Sequence, residues 1–482
     1  MQCDSSNTPG LVIPHGWTNP VPPHTYRVLV IGGGCAAVRA ATEAARLTGP
    51  VALVTPRIVA ENGLDDAAAA RLDFWQFVQD HAQQANQAER VAEWTADKRR
   101  HDPRAMQAQR AQQLGDLGIE VHFGSAVFTG VNTIAVHGRE LTFERAIIAP
   151  AQTTLPAEAI DRDAGTSDAV QPLTAETWPQ LTALPRRLAI VGAGSAAVEL
   201  ADLFAQLGTE VHLVTPKLEL LPGEDPGAAN LVARGLEHAG VRIHRGWSLR
   251  ESEQLASARL VTIERGEELR KLLADELLLL AAKPRWQAPG GLAAARLTMN
   301  DAGLVVDERL RTSNSRIYAA GVCCAAGTPL PDAEGYGRLA VRNALLSGGE
   351  HYAAVVVPRV VRSRPQLVQI GCTTHEAPSL GFELDTYRCT LGAHADHFAL
   401  IHTKRGTGRL LGATLVAHDA AALAPLLALM VKEQLSLEVL AELTVGHVAG
   451  FEALRAIAQQ YARGGVTAAS NFRVASKSIV HV

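Results

Sequence analysis

RLAIVGAGSAAVELADLFAQLGTEVHLVTP, residues 187–216, is the stretch that decides the fold. An apolar run predicts a strand before the G-x-G-x-x-A turn, and the turn places Gly192, Gly194 and Ala197 at its three fixed positions. Apolar residues at helical spacing predict a helix after the turn, and a second strand follows at Val211–Val214. This order of strand, glycine turn, helix and strand is the βαβ fingerprint of dinucleotide binding.

The same unit occurs a second time, near the beginning of the chain. YRVLVIGGGCAAVRAATEAARLTGPVALVT, residues 26–55, has Gly32, Gly34 and Ala37 at the corresponding positions. In each unit the glycines allow a tight turn and let backbone N–H groups approach a pyrophosphate at a helix N-terminus. Two such units predict two nucleotide sites, a pattern typical of a flavoprotein that takes electrons from a nicotinamide.

Length and composition exclude several classes of protein. A chain of 482 residues is too long for one core, so two or three domains are expected. The net charge of −4 argues against nucleic acid as a partner, and no apolar run reaches membrane-spanning length. The first 25 residues are polar and proline-rich without an apolar signal core, which predicts a flexible extension and a cytoplasmic protein.

The cysteines are scattered and form neither a CxxC nor a CxxxxC motif. This usage fits a reducing compartment, and no metal site is predicted. The neighbours Cys323 and Cys324 leave a redox or metal role as one alternative. Vicinal cysteines form only a strained disulfide, and the ligands of a metal site are usually separated in the sequence. Buried apolar thiols are therefore the preferred interpretation.

The order of segments resembles the flavoprotein disulfide reductase family, which includes dihydrolipoamide dehydrogenase, glutathione reductase and mercuric reductase-like members. The resemblance extends from about Tyr26 to Tyr461. Its most specific pieces are the stretch PLTAETWPQLTALPRRLAIVGAGSAAVELADLFAQLG, the second flavin motif TSNSRIYAAG ending at Gly321, and VPRVVRSRPQLVQIG, which is similar to the opening of the dimerisation domain.

The resemblance implies an α/β fold with two Rossmann-like nucleotide-binding domains, for FAD and NAD(P), and a C-terminal α+β dimerisation domain. It also implies a homodimer with FAD and NAD(P)H as cofactors. The expected boundaries are an extension 1–25, a discontinuous FAD domain 26–155 and 285–350, an NAD(P) domain 156–284, a dimerisation domain 351–465 and a tail 466–482.

Four departures from the family pattern affect the flavin site. The segment TPRIVAENGLDDAAAARLDF, where the family carries its CxxxxC redox pair, has no cysteine, so dithiol chemistry cannot run there. Thr55 replaces the acid that holds the adenosine ribose, and Val322 replaces the aspartate that bonds the ribityl chain. The loop Ala149-Pro150-Ala151 has lost a glycine. Each lost hydrogen bond is worth roughly 1 kcal/mol, so these changes weaken FAD binding without necessarily abolishing it.

Three positions bear on the nicotinamide site. Thr215 stands where an acid would select NAD, and Lys217 either pairs with the 2′-phosphate of NADP or is a solvated surface lysine. Glu199 matches the glutamate that in the family faces the flavin and pairs with a lysine near the redox cysteines, and that lysine is absent here. A glutamate in an apolar helix still needs a partner if it is buried.

His447 and Glu452 match the histidine and glutamate of the family's C-terminal motif, although Val448 replaces its proline. In the family this histidine is the acid/base for the dithiol and reaches across the dimer. Here the pair is either a structural remnant or a proton donor to another acceptor. The mercuric reductases' C-terminal cysteine pair is absent from the tail ASKSIVHV, so mercury chemistry has no residue to support it.

Two functions are therefore predicted as alternatives. The first is an FAD-dependent NAD(P)H oxidoreductase that passes electrons directly to a small acceptor such as a quinone or oxygen. The second is a catalytically silent member that binds a nucleotide or a partner protein. The helical stretch Asp65–Leu117, polar on most faces, is either a solvated helix or a surface for that partner.

Overall fold

In the computed structural model, the described part of the chain forms three larger β-sheets, a three-stranded antiparallel sheet and two two-stranded sheets, with helices packed around them. The described residues are 11–22, 25–61, 64–81, 87–100, 103–151, 172–256, 258–280, 286–324, 333–346, 349, 356, 358–373, 376, 383–391, 397–443, 449–462 and 471–473.

Ten helices lie within these ranges, and none of them is both long enough and apolar enough to span a membrane. They are α1 (Cys35–Leu47), α2 (Asp66–His81), α3 (Gln87–Arg100), α4 (Pro103–Asp116), α5 (Ser195–Gln206), α6 (Pro226–His238), α7 (Ala333–Leu345), α8 (Ala420–Lys432), α9 (Leu437–Glu442) and α10 (Ala449–Ala462).

The strands in the described ranges are β1 (Tyr26–Ile31), β2 (Val51–Thr55), β3 (Ala60–Glu61), β4 (Leu64–Asp65), β5 (Ile119–Phe123), β6 (Val127–Phe128), β7 (Thr133–Val136), β8 (Arg139–Ile148), β9 (Arg187–Val191), β10 (Glu210–Thr215), β11 (Arg242–Arg245), β12 (Ser248–Gln254), β13 (Arg259–Arg265), β14 (Glu268–Ala274), β15 (Glu276–Leu279), β16 (Met299–Asn300), β17 (Gly303–Leu304), β18 (Ile317–Ala319), β19 (Arg359–Val361), β20 (Gln366–Gly371), β21 (Leu384–Leu391), β22 (His397–Lys404), β23 (Leu410–Ala417) and β24 (Asn471–Arg473).

The first sheet has the order β5-β2-β1-β8-β7-β6, with β18 beside β8. Its central strand β1 is parallel to both neighbours, and Ile31 pairs with Val54 on one side and Ile148 on the other. Strands buried on both faces read as continuous apolar runs, which is why this part of the sheet was predictable. Strand β8 begins at Arg139, where it forms a hairpin with β7.

The second sheet has the order β11-β10-β9-β15, all parallel, and the antiparallel sheet β12-β13-β14 accompanies it. Both β1 and β9 run directly into a glycine turn at the carboxyl edge of a parallel sheet. This edge is where α/β sheets bind their ligands.

The third sheet has the order β19-β20-β23-β22-β21-β24, and its core includes apolar residues of α8, α9 and α10. Within the expected tail, residues 471–473 form β24, which runs parallel to β21. A three-residue edge strand is stabilised by its partner strand, and its own sequence carries no signal for it.

Helices α2, α3 and α4 occupy the predicted helical stretch, but a fully solvated arrangement is wrong for α2. Phe74 of α2 is buried against Trp94 of α3, Trp178 and Phe204 of α5, with ring centroids 4.9, 5.1 and 5.4 Å away. Aromatic pairs at these separations contribute about 0.5–1.5 kcal/mol each beyond the burial of area. The cluster therefore fixes α2 against the helix that follows the second glycine turn.

Candidate functional site: two glycine turns and the helix between them

The second glycine turn presents the uncapped end of a helix. Gly194 is the N-cap of α5 and no side chain caps the helix. A Cβ built on Gly194 meets no heavy atom within 4 Å in the described chain, whereas one on Gly192 lies 3.1 Å from the Cβ of Ala197. Gly192 thus allows the close approach of strand and helix, and Gly194 leaves the N–H groups accessible. A helix N-terminus of this kind binds a phosphate.

The carboxyl end of β10 carries a cation and no acid. Thr215 is buried, and its hydroxyl accepts a hydrogen bond from the backbone N–H of Lys217 at 3.1 Å. Lys217 is exposed, and Arg245, at the end of the neighbouring strand β11, pairs in register with Thr215. Arg245 also bonds Glu237 at 3.2 Å. Lys217 and Arg245 are thus the cations at the strand end where a βαβ unit distinguishes NAD from NADP, and both alternatives for Lys217 stay open.

The first glycine turn has the same backbone arrangement, but neighbouring backbone atoms lie closer to its glycines. Gly34 is the N-cap of α1, again without a side-chain cap. A Cβ on Gly32 would lie 1.9 Å from the carbonyl oxygen of Ala149, and one on Gly33 would lie 1.9 Å from that of Arg57. Even at Gly34 the Cα of Ala151 is 3.1 Å from the Cβ position. The chain itself packs against every residue of this turn.

The adenosine end of this first site, at the carboxyl ends of β2 and β5, is also in contact with the chain. The hydroxyl of Thr55 donates to the carbonyl of Arg57 at 2.7 Å, so it is used within its own turn. The backbone N–H of Val12 donates to the carbonyl of Pro56 at 3.0 Å. The side-chain amide of Asn19 bonds both the N–H and the C=O of Phe123, each at 2.9 Å. Asn19 was not predicted from the sequence, because nothing in its local sequence distinguishes it from a loop residue.

The second flavin motif lies against the first turn. Gly321 has φ +82°, a conformation that favours glycine, and its Cβ position is 3.5 Å from the Cβ of Ala36 in α1. Cys323 is fully buried and its thiol donates to the carbonyls of Ile148 and Ala320, at 3.3 and 3.4 Å. Burial raises the pKa of the Cys323 thiol well above its ordinary value. These contacts support the interpretation of Cys323 as a structural thiol, since the thiolate is the reactive form.

Glu199 lies on α5, and its buried carboxylate has a cationic partner. One oxygen accepts from Nε of Arg71 on α2 at 3.1 Å, and the other accepts from the backbone N–H of Arg362 at 2.9 Å. The side chains of Glu199 and Arg71 are 8% and 21% exposed, so the pair is largely removed from water. Sequence reasoning missed Arg71, because it sits in an alanine-rich helix with no motif around it.

Helix α5 buries a second carboxylate, that of Asp202. Asp202 is fully buried, with Nε of Arg364 3.6 Å from its Oδ2 and Gln206 donating to the same oxygen at 2.8 Å. Its Oδ1 has no hydrogen-bond partner within the described residues. Burial raises the pKa of Asp202 to about 6, against the opposing effect of Arg364. The helix after the second turn is thus joined to α2 and to the loop after β19.

Two predicted site residues belong to the C-terminal part of the chain. Glu452 is exposed in the first turn of α10, and His447 lies outside the described residues. The residues placed at the turns are the predicted Gly32, Gly34, Ala37, Gly192, Gly194, Ala197 and Gly321. No group of three or more His, Cys, Asp or Glu side chains suited to a metal occurs in the part of the chain that is described.

Comparisons with known proteins agree on the family. A family model described as pyridine nucleotide-disulphide oxidoreductase matches residues 26–348. The mercuric reductase of Bacillus cereus is 30% identical over 322 residues, which are 64% of this chain and 49% of the relative. The dihydrolipoyl dehydrogenase of Thermus scotoductus is 27% identical over 270 residues, 55% of this chain and 57% of the relative. The matches to these curated relatives span about half of their length.

Solved structures show the same fold over nearly the whole chain. The HOCl-induced flavoprotein disulfide reductase RclA from Escherichia coli superposes with a TM-score of 0.74 at 21% identity, covering 90% of this chain and 99% of that one. LpdA from Mycobacterium tuberculosis superposes with a TM-score of 0.73 at 22% identity, with the same coverage of 90% and 99%. The predicted fold class, two nucleotide-binding domains followed by a C-terminal domain, is confirmed.

Proposed function

This chain belongs to the pyridine nucleotide-disulphide oxidoreductase family, and on that premise we propose that it is an NAD(P)H oxidoreductase that works without a redox-active disulfide. Electrons pass from the nicotinamide through the flavin directly to a small acceptor such as a quinone or oxygen. We further propose that the chain acts as a homodimer through the segment 351–465, with the other domain boundaries as predicted above.

FAD and NAD(P)H are the cofactors of this family, and the two turns fit them to different degrees. At the second turn the accessible N-terminus of α5, with Gly192 and Gly194, fits the pyrophosphate of NAD(P)H. At the first turn the uncapped N-terminus of α1, with Gly32 and Gly34, fits the pyrophosphate of FAD. FAD supplies, when bound, the ability to take up the hydride of a reduced nicotinamide and release electrons singly or in pairs.

The observation that carries the proposal is the replacement of the redox pair by α2. No cysteine occurs between Cys35 and Cys323. Helix α2, which follows β4, presents Arg71 to Glu199 and Phe74 to the aromatic cluster instead. A dithiol relay requires two thiols within bonding distance of each other, and this segment supplies none.

Within this scheme, residues of α2 and α5 hold the two helices together and keep water away from their contact. The Arg71–Glu199 pair holds a charged, hydrogen-bonded contact between the two helices in a place largely closed to water. The aromatic cluster around Phe74 keeps α2 in that position. His447 is the proposed proton donor to the reduced acceptor, with Glu452 as its orienting carboxylate.

The test is an anaerobic absorption experiment followed by turnover assays with different electron acceptors. Purified protein supplemented with FAD should show flavin bands that bleach when NADPH or NADH is added. Turnover with a quinone or oxygen should then survive complete alkylation of the accessible thiols, and lipoamide or glutathione disulfide should not be reduced. Reduction of either disulfide would contradict the proposal.

A catalytically silent, nucleotide-binding role is the second candidate, and the crowded first turn favours it. Thr55, Pro56 and Phe123 are already bonded within the chain at the adenosine end of the site. A folded protein that binds NADPH but never bleaches added FAD would support this role instead.

A further inference from the structure

Residues 11–20, here named the strap, lie across the carboxyl ends of two strands of the first sheet. Near its beginning, Val12 donates its backbone N–H to the carbonyl of Pro56, directly after β2. Near its end, the indole of Trp17 packs edge-on against Phe123, the last residue of β5, with ring centroids 5.2 Å apart and planes at 88°. The strap therefore bridges the ends of β2 and β5.

Asn19 fixes the strap to β5 through side-chain hydrogen bonds. Its Nδ2 donates to the carbonyl of Phe123 and its Oδ1 accepts from the Phe123 N–H, while the same Oδ1 accepts from Nε1 of Trp17 at 2.9 Å. Asn19 is only 8% exposed. Arg139 secures the backbone by donating to the carbonyls of Asn19 and Pro20, at 3.3 and 3.2 Å.

The carboxamide of Asn19 bonds the backbone of Phe123 in the way that the hydrogen-bonding edge of adenine could. A carboxamide offers one N–H donor beside one acceptor, as adenine does with its N6 amino group and a neighbouring ring nitrogen. In a βαβ dinucleotide unit the adenosine half lies at the end of the second strand, where an acidic side chain bonds the ribose. Here that end carries Thr55, whose hydroxyl is turned to Arg57, and Pro56, whose carbonyl is taken by Val12.

We propose that the strap competes with the adenosine half of FAD for the first nucleotide site, so that FAD binds fully only when Trp17 and Asn19 are displaced. The proposal rests on the FAD site of the proposed function. It makes Asn19 and Trp17 determinants of flavin specificity, because a flavin without adenosine, such as FMN, does not need to displace them.

The experiment measures dissociation constants of FAD, FMN and NADPH for the apoprotein of the full chain and its variants. Asn19→Leu keeps the branched shape and the number of heavy atoms of the side chain, and it removes both hydrogen bonds to Phe123. His15→Ala is the matched control, because His15 is on the strap but faces Arg104, at 3.4 Å, and not the strand ends. A deletion of residues 1–20 removes the strap altogether.

Asn19→Leu should tighten FAD binding about tenfold, as expected for two lost competing hydrogen bonds, and the deletion, which also removes the contacts of Val12 and Trp17, should tighten it at least as much. FMN and NADPH binding, and all three constants of His15→Ala, should stay unchanged. In the wild type, FAD should also speed chymotryptic cleavage after Trp17 more than FMN does.

Three results would overturn the proposal. Equal or weaker FAD binding by both strap variants, with NADPH binding intact, would show that the strap does not compete. An equal gain for FMN would show that adenosine is not what the strap excludes. Failure of every variant to bind FAD, with NADPH binding intact, would contradict the proposed function as well and so is distinguishable from the first two results.

Discussion

The two glycine turns have the same signature and opposite surroundings. At the second turn, Gly194 meets no atom of the described chain within 4 Å of its Cβ position. At the first, Gly32, Gly33 and Gly34 all face backbone atoms at 3.1 Å or less. A G-x-G-x-x-A pattern therefore specifies the turn and the helix after it, but it does not specify how much of the site the rest of the chain leaves to a nucleotide.

The helices after the two turns also differ, in the side chains that they bury. Helix α1 packs through alanines, and its contact with α7 is so close that a Cβ on Gly337 would lie 2.1 Å from the carbonyl oxygen of Ala36. Helix α5 instead buries two carboxylates, Glu199 and Asp202, and joins them to cationic or backbone partners on other elements. Helix α1 is mainly a packing element, with one buried carboxylate, Glu43, at 3.8 Å from Arg342 of α7, whereas α5 joins two buried carboxylates to other elements.

The largest effect should come from adding a methyl group to each turn. Gly32→Ala should destabilise the protein by about 3 kcal/mol, because the new Cβ meets a carbonyl oxygen and the φ of +136° disfavours side chains. Gly194→Ala should keep wild-type stability and weaken NADPH binding about tenfold, because the methyl projects where a phosphate would approach. Thermal unfolding and NADPH titration of both variants measure this contrast. Equal loss of stability in the two would remove the distinction between the turns.

Breaking the junction on α5 should have the next largest effect. Arg71→Ala leaves the Glu199 carboxylate buried without its guanidinium, and should cost about 2–4 kcal/mol in the free energy of unfolding. The double variant Arg71→Ala with Glu199→Gln should recover part of that loss, because no buried charge is left unpaired. Denaturant unfolding of the single and double variants measures the coupling. Additive losses would mean that the two side chains do not interact.

Asp202 should make the stability of this junction depend on pH. Its folded pKa of about 6 lies above the ordinary 3.8, so the folded state keeps the proton between these values while the unfolded state releases it. The free energy of unfolding should therefore fall as pH rises from about 4 to 6, by at most about 1.4 kcal/mol per unit from this group. Asp202→Asn should lack this component, and its melting temperature relative to wild type should rise across that range. A constant difference would contradict the shift.

The smallest effect concerns the choice of nicotinamide. Lys217→Ala should raise the KM for NADPH about fivefold and leave that for NADH unchanged, because an exposed cation contributes about 1 kcal/mol to an ion pair. Lys271→Ala, on the strand β14 of the accompanying antiparallel sheet, serves as the exposed-lysine control. No change for either nucleotide would assign Lys217 to the solvated surface, and an equal increase for both would place it at a group that the two nucleotides share.

Much of this molecule was predictable because its signals are local. Buried parallel strands read as apolar runs, and the turns carry glycine at fixed spacing, so both βαβ units and the fold class follow from the sequence. The contacts of Glu199 were not predictable. Its partners Arg71 and Arg362 lie 128 and 163 residues away, and no local pattern marks them.

The sequence by itself determined the two nucleotide-binding units, the family and the loss of the thiol pair, because each depends on residue types at fixed spacing. Only the tertiary structure decided that the first turn is enclosed and the second accessible. It also placed α2 against α5 and Asn19 against Phe123, 104 residues away. Such contacts depend on which surfaces the fold brings together, and hydrogen bonding and packing at those surfaces are properties of the assembled chain.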